Sequence, residues 1–206
     1  MRLPAEQRRR QLLDVACQVF ADGGFHATAM DDIANAAGVT KPVLYQHFPS
    51  KRALFAELLD DVGRQLLDAL GTATGAVETG RERVEAGFEA YYRFVIGNRA
   101  AFKLIFGASV RNDPEFALVA DRVLHEAADV ISALIEIEAE PEHRRVLAHA
   151  LVGVAEATSR HALTDPDAPQ PEPAQLARWV SELVWFGLRG VRADERAATG
   201  SGPTPG

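Results

Sequence analysis

Cysteine and long apolar runs are both scarce in this chain of 206 residues. Its single cysteine, Cys17, cannot form an internal disulfide, and such usage fits the reducing cytoplasm. The longest uncharged helical run, residues 146–155, is about half of the roughly 20 residues that a membrane-spanning helix needs. The first ten residues carry four arginines and enter an amphipathic segment, unlike the apolar core of a secretory signal. We therefore expect a cytoplasmic protein with no membrane partner.

Catalytic and metal-binding motifs are also missing. No P-loop, GxGxxG or GxSxG pattern is present. The six histidines form neither an HExxH pair nor a Cys–His ligand set: His26, His47, His125, His143, His149 and His161. We therefore expect no enzyme, no cofactor and no metal site.

The net charge of −7 is unevenly distributed along the chain. Residues 1–58 contain seven Lys or Arg and six Asp or Glu, a net charge of +1, whereas the remainder carries −8. Acidity argues against nucleic acid as a partner, but a near-neutral segment binds phosphates when its few cations are locally placed. The charge balance therefore leaves DNA binding open for the first 58 residues.

Almost every segment has apolar residues at the 3.6-residue period and no strand pattern is evident, so the predicted fold class is all-α. We expect about nine helices in two parts, with the bounds 5–65 and 66–192, followed by a disordered tail over 193–206. Gly23–Gly24 should end the first helix, and Thr28 should cap the second. The Gly/Thr-rich stretch 71–80 indicates a connection after the fourth helix.

The segment "MDDIANAAGVTKPVLYQHFPSKRALF", residues 30–55, contains two short helical patterns separated by Ala-Gly-Val-Thr. Two helices joined by a tight turn at Gly38 form a helix-turn-helix, whose second helix reads the major groove of DNA. On a helical wheel, Leu44 and Phe48 face the interior. The other positions present groups suited to base edges and phosphate oxygens: Lys41, Pro42, Val43, Tyr45, Gln46 and His47. The alternative is that Tyr45 and His47 are merely the packed end of a small helical corner.

The residues from Ile33 to Leu54 resemble the DNA-binding signature of the tetracycline-repressor (TetR) family. That signature combines Ile-Ala, Ala-Gly-Val-Ser/Thr, Leu-Tyr-x-His-Phe and a following Lys-x-x-Leu, all present here with unbroken spacing. The resemblance implies that DNA phosphates are held by Thr28, Thr40, Tyr45, His47 and Lys51. It implies base-edge or groove contacts from Lys41, Pro42, Val43 and Gln46. Whether Arg8, Arg9 and Arg10 touch DNA or form a solvated helix face stays open.

The final predicted helix, residues 174–191, is apolar around most of its circumference, so several of its sides must be covered. We expect this helix and the preceding one to pair with their copies in a two-fold four-helix bundle, as the family resemblance also implies. The predicted interface comprises Leu147, Leu151, Val154, Thr158, Leu176, Trp179, Val180, Leu183, Phe186 and Gly187. The alternative is that this stripe is only core within one chain.

Aromatic residues of the middle helices suggest an enclosed apolar site for a small effector molecule. The candidate ligand contacts are Phe88, Tyr91, Tyr92, Phe102 and Phe106, together with His149 and Glu156 on a later helix. Aromatic stripes are more often plain core. The polar pair suits a solvated face, a ligand contact or salt bridges across a dimer.

We therefore predict a ligand-responsive, sequence-specific transcriptional regulator that binds double-stranded DNA at a palindromic operator as a homodimer. Residues 5–65 are then an N-terminal three-helix helix-turn-helix domain and residues 66–192 a larger ligand-binding and dimerisation domain. The expected form is a repressor released by a small apolar or amphipathic effector, and an activator or a ligandless regulator is a third possibility. The alternative is a helical small-molecule carrier or enzyme with an incidental helix-turn-helix corner.

Overall fold

The computed structural model describes residues 4–164 and 171–189, and these residues form ten helices and no strand. The bounds are α1 Ala5–Ala27, α2 Met30–Ala36, α3 Lys41–His47, α4 Lys51–Gly75, α5 Gly80–Gly97, α6 Arg99–Phe106, α7 Ala108–Arg111, α8 Pro114–Leu134, α9 Pro141–Thr164 and α10 Pro173–Arg189. The all-α prediction is confirmed. In this described part of the chain, none of the helices combines the length and the apolar character that crossing a membrane demands. The predicted disordered tail, 193–206, lies outside the described residues.

The chain forms two compact units. The first comprises residues 1–70 and 93–126, and the second comprises residues 71–92 and 127–206. Helices α4, α5 and α8 contribute residues to both units. The N-terminal helices thus share a unit with α6, α7 and most of α8, a pairing of distant segments that periodicity alone does not reveal.

Aromatic side chains form much of the core of the first unit. Phe116, in the first turn of α8, packs against Phe25 and Phe55 with ring centroids 4.8 and 4.5 Å apart. Phe20 of α1 contacts Phe55 of α4 edge to face at 5.0 Å. Burying one such side chain contributes about 1.5–3 kcal/mol. The cluster therefore joins α1, α4 and α8 into one core.

Two helix ends differ from the sequence-based expectation. The cap of α2 is Ala29 rather than Thr28, and the Asp32 carboxylate accepts a hydrogen bond from the Ala29 N–H at 2.8 Å. Helix α4 continues to Gly75, so the connection predicted over 71–80 shrinks to residues 76–79. The side chain of Thr74 is buried, which shows that packing outweighs the weak helix propensity of this Gly/Thr-rich stretch.

The second unit contains the end of α4, the first part of α5, the end of α8, and helices α9 and α10. The Tyr92 hydroxyl on α5 is hydrogen-bonded to Thr158 Oγ1 on α9 at 2.7 Å. Helix α10 buries one face within the unit: Leu176, Ala177, Val180, Ser181 and Val184. The predicted all-round apolar helix is therefore covered on one side by its own chain.

Candidate nucleic-acid interface

The turn between α2 and α3 depends on Gly38. Its φ of +64° lies in the left-handed region, which side chains with a Cβ rarely adopt. A Cβ at Gly38 would meet no atom within 4 Å, so backbone conformation, not space, imposes glycine here. The Gly38 N–H donates to the Asn35 carbonyl at 3.1 Å, and the Val39 N–H donates to the Ala34 carbonyl at 2.9 Å. These bonds fix the direction in which α3 leaves α2.

Helix α3 is anchored by one face and exposed on the other. Leu44, Phe48 and, from α2, Ile33 have no exposed surface, as the helical wheel predicted. Thr40, Lys41, Pro42, Tyr45 and Gln46 are exposed, and Val43 and His47 are half-buried. Seven of the nine residues predicted to contact DNA therefore lie together on or beside the outward face of this helix.

The exposed start of α3 carries two groups suited to an anionic partner. Thr40 is the N-cap residue, but its side chain makes no capping hydrogen bond to α3, so its hydroxyl remains at the surface. Lys41 Nζ donates to the Asp31 carboxylate at 3.0 Å. This hydrogen bond holds the pKa of Lys41 above its ordinary value, so the ammonium stays charged at neutral pH.

Two side chains predicted to hold phosphates are instead used inside the protein. Thr28 is only 4% exposed, and its hydroxyl is directed to the Val19 carbonyl at 3.5 Å. Lys51 Nζ donates to the carbonyls of Phe25 at 2.8 Å, Thr28 at 2.8 Å and His26 at 3.3 Å. An ammonium has three N–H donors, so all three are engaged. Lys51 thus stabilises the segment after the break in α1 at Gly24, where φ is +74°.

Arg9 is a functional candidate that sequence reasoning did not identify individually. Its guanidinium donates to the His47 carbonyl at 2.8 Å and to both carboxylate oxygens of Glu57 at 2.8 and 2.5 Å. It also lies 4.5 Å from the centroid of the Phe48 ring. Arg9 therefore ties the last turn of α3 to α1 and α4. No local pattern signals this role, because Glu57 lies 48 positions later.

The neighbouring arginines also contact the protein itself. Arg10 donates to both oxygens of the buried Asp61 carboxylate at 3.1 and 2.9 Å and pairs with Asp14 at 3.1 Å. Arg8 donates to Gln11 at 2.6 Å within α1. The last two members of the run Arg8–Arg10 are thus engaged by carboxylates of this chain.

The residues predicted to contact an effector divide between the two units. Phe88, Tyr91 and Tyr92 are buried in the second unit, where Phe88 stacks on Tyr92 at 6.0 Å and Tyr91 meets Tyr92 edge-on at 5.4 Å. Phe102 and Phe106 are buried together on α6 in the first unit, at 4.8 Å. On α9, His149 is exposed, and Glu156 is half-buried and paired with Arg160. The structure therefore describes two separate aromatic groups.

The residues predicted for a dimer interface also divide, here by exposure. Leu176 and Val180 are buried within the chain, and Leu147, Leu151, Val154 and Thr158 are half-buried. Trp179, Leu183 and Phe186 are large, apolar and 56%, 70% and 67% exposed, and Gly187 beside them is exposed. On α9 the exposed line lies one position earlier than predicted: Val146, Ala150, Gly153 and Ala157.

Comparison with known proteins gives matches over both parts of the chain. The family of bacterial regulatory proteins, tetR family, matches residues 12–58, and the tetracyclin repressor-like C-terminal domain matches residues 80–187. The HTH-type transcriptional activator FasR of Mycolicibacterium smegmatis is 33% identical over 192 residues, which cover 92% of this chain and 87% of FasR. The HTH-type transcriptional repressor KstR2 of Rhodococcus jostii is 38% identical over 94 residues, which cover 40% of this chain and 46% of KstR2.

Solved structures agree with these matches. A TetR-like transcriptional regulator from Rhodococcus sp. RHA1 is 31% identical, with a TM-score of 0.73 over 92% of this chain and 100% of that one. The regulator FadR from Bacillus subtilis, in complex with stearoyl-CoA, has a TM-score of 0.75 at 16% identity over 89% of this chain and 99% of that one, which shows the fold alone. The chain belongs to the TetR family of bacterial transcriptional regulators and carries its helix-turn-helix DNA-binding module.

Proposed function

We propose that this protein is a ligand-responsive regulator that reads a palindromic operator in the bacterial cytoplasm through the exposed face of α3, as a binding protein and not as an enzyme. One observation carries the proposal. Helix α3 buries Leu44 and Phe48 completely while Thr40, Tyr45 and Gln46 point outward. A helix held by one face and polar on the other has the form that enters a major groove.

The exposed side chains divide into two roles. Gln46 is able to pair bidentately with adenine, and Pro42 and Val43 offer apolar contact to a thymine methyl. Thr40, Tyr45 and His47 hold phosphate oxygens, which fixes the register of the helix without reading sequence. Lys41 adds positive charge at the groove edge. Thr28 and Lys51 are left out of this contact set because their polar groups are engaged within the protein.

A homodimer places two such helices on one operator. Trp179, Leu183 and Phe186 form an exposed apolar line on α10. Its exposure to water is unfavourable, and contact with a second copy of the chain removes that exposure. Val146 and the small residues that follow it on α9 allow another helix to approach closely. A two-fold pairing through both helices makes a four-helix bundle. Recognition helices about 34–36 Å apart then meet successive major grooves.

The second part of the proposal concerns the effector. The aromatic group of α5 in the second unit suits a small apolar or amphipathic molecule. Coupling between two sites typically amounts to about 1–3 kcal/mol, which changes operator affinity by roughly 5- to 150-fold. FasR, similar over most of its length, is an activator, whereas KstR2, similar over less than half, is a repressor. Repression relieved by the effector is our proposal for this chain, and activation is the outcome that a transcription assay distinguishes.

In-vitro selection of bound DNA, followed by gel-shift titration on the selected site, tests the DNA contacts. Gln46→Ala should change the preference at one base position by about 1–3 kcal/mol. Tyr45→Ala should weaken binding to all sequences alike, because a phosphate contact carries no sequence information. Gln18→Ala is the matched control, since Gln18 is an exposed glutamine on α1 that is not among the predicted contacts.

Two results of the same titration would contradict this proposal. If both α3 variants bind like the parent, the assignment of contacts to α3 is wrong. If the parent forms no salt-sensitive complex with any selected DNA, the carrier or enzyme alternative gains support.

A further inference from the structure

Three buried side-chain oxygens of the second unit lack a hydrogen-bond partner among the described residues. They are the Tyr91 hydroxyl on α5, Ser159 Oγ on α9 and Ser181 Oγ on α10. Tyr91 is 7% and Ser159 1% exposed, so bulk water does not satisfy them. Buried polar groups in proteins are nearly always paired, because an unpaired one sacrifices its hydration without return. Orphaned groups of this kind call for a functional reason.

Tyr91 on α5 and Ser159 on α9 are neighbours, and the Ser159 hydroxyl is close enough to favour the ionised phenol, yet neither oxygen has a partner at hydrogen-bonding geometry. Burial raises the pKa of Tyr91 well above its ordinary value, and the nearby Ser159 hydroxyl opposes this shift only in part. The phenol is therefore neutral at every physiological pH. Two neutral hydroxyls that are close but poorly oriented toward each other retain donor and acceptor capacity for a third group.

The adjacent pair on the same two helices shows the contrast. Tyr92 follows Tyr91 on α5, and Thr158 precedes Ser159 on α9. The hydroxyl oxygens of Tyr92 and Thr158 are 2.7 Å apart. The Thr158 hydroxyl also donates a hydrogen bond to the Val154 carbonyl at 2.6 Å, so this hydroxyl has partners within the protein. Helices α5 and α9 thus approach closely enough to close one Tyr–hydroxyl pair.

The surroundings favour an uncharged ligand group. Tyr91 lies edge-on to Tyr92, whose ring stacks on Phe88, so the neighbourhood is aromatic. The nearest charges acting on the phenol, Glu156 and Arg160, are paired with each other on α9. A buried ionised group without its own counter-ion is unfavourable, whereas a neutral oxygen needs only the two hydroxyls.

We propose that Tyr91 and Ser159 form the polar anchor of the effector site and bind a neutral oxygen, a hydroxyl or a carbonyl, of an otherwise apolar molecule. This inference rests on the proposed function as a ligand-responsive regulator and specifies the class of its effector. The aromatic side chains bind the apolar body by contact. The two hydroxyls select the molecule that carries an oxygen at that position.

Matched probes and matched variants test the anchor. Decanol, methyl decanoate, decane and decanoate are titrated into the parent protein and into Tyr91→Phe, Ser159→Ala and the control Tyr92→Phe, with affinity and the unfolding temperature Tm as readouts. In the parent, decanol or methyl decanoate should bind about tenfold more tightly than decane or decanoate, as one or two hydrogen bonds allow. Tyr91→Phe and Ser159→Ala should lose this preference, whereas Tyr92→Phe should keep it.

Stability without a probe provides the readout that a merely structural role would not give. Tyr91→Phe removes an unpaired hydroxyl, so its Tm should equal or exceed that of the parent. Tyr92→Phe breaks a closed hydrogen bond, so its Tm should fall. A loss of oxygen preference without a loss of stability identifies Tyr91 as an anchor kept for a ligand.

Three results overturn the anchor: equal binding of oxygenated and plain probes by the parent, an unchanged preference in Tyr91→Phe and Ser159→Ala, or a fall in Tm for Tyr91→Phe as large as for Tyr92→Phe. Gel shifts on selected DNA separate this failure from failure of the proposed function. Normal DNA binding with any of these three results removes the anchor alone. Absence of DNA binding in the parent removes the regulator itself.

Discussion

Helices α3 and α10 are both amphipathic, yet their exposed faces have opposite chemistry. Helix α3 buries Leu44 and exposes Tyr45 and Gln46, whereas α10 buries Val180 and exposes Leu183 and Trp179. An exposed polar face is stable in water by itself and is useful only if it is held in a fixed orientation. An exposed apolar face is unfavourable until something covers it. The comparison indicates that one helix is positioned for a polar partner and the other for an apolar one.

The means of holding the two helices differ as well. Helix α3 has only seven residues and is fixed by groups distant in sequence, among them the Arg9 guanidinium on the His47 carbonyl. Helix α10 has 17 residues and is held by an apolar face of its own. A short reading helix therefore depends on individual side-chain contacts, and each of these is open to test.

The largest expected effect comes from Trp179→Arg, which places a charge on the exposed apolar line of α10. If a second copy covers this line, the variant should be monomeric by light scattering. Its affinity for a palindromic site should fall about 100-fold, because the two half-sites are no longer bound by linked subunits. Arg178→Glu changes the charge of the same helix outside the line and should remain dimeric. A dimeric Trp179→Arg protein at the same concentration would remove the proposed interface.

Arg9→Ala should have the next largest effect, because it frees the last turn of α3 from α1 and α4. Loss of the charged hydrogen bonds to the His47 carbonyl and Glu57 should lower the free energy of unfolding by about 1–3 kcal/mol. Operator affinity should fall with unchanged base preference. Denaturant unfolding and gel shifts measure these quantities.

Arg8→Ala is the control for this prediction, since the Arg8 guanidinium donates to Gln11 within its own helix turn. It should leave stability within about 0.5 kcal/mol of the parent. Arg9 would instead be a DNA contact if its replacement reduced the salt dependence of binding and left stability unchanged.

The smallest expected effect separates the two lysines of the helix-turn-helix. Lys41→Met should reduce the slope of log affinity against log salt concentration by about 0.9, as the loss of one cation at the DNA does. Lys51→Met should leave the slope unchanged and lower Tm, because its ammonium is bound to three carbonyls of the segment 25–28. Equal changes in slope for both variants would contradict the internal role of Lys51.

The inward and outward faces of α3 were predictable because a two-turn helix is a local structure. Leu44 and Phe48 are four residues apart, so they share a face whatever the rest of the chain does. Thr40 and Pro49 flank that helix within the same short stretch of sequence. The same local reasoning failed for Thr28, which was predicted to cap α2, because Ala29 is the cap and the Thr28 hydroxyl instead faces the Val19 carbonyl of α1.

The exposed face of α10 was only partly predictable. Its excess of apolar residues indicated that more than one side is covered, but periodicity did not tell which line the chain covers itself. Leu176 and Val180 lie within the chain's own core, and Trp179 and Leu183 do not. The domain bounds and the subunit contacts stay predictions.

The amino-acid sequence by itself determined the all-α class, the turn at Gly38 and the side chains that α3 turns outward, since these follow from backbone conformation and helical period. The tertiary structure decided which cations remain for DNA. Arg9, Arg10 and Lys51 are each engaged by carboxylates or carbonyls between 23 and 51 positions away, which only folding brings within hydrogen-bond distance. The sequence gives the number of Lys and Arg side chains, but only the folded structure shows which of them are not already hydrogen-bonded within the protein and can therefore contact DNA.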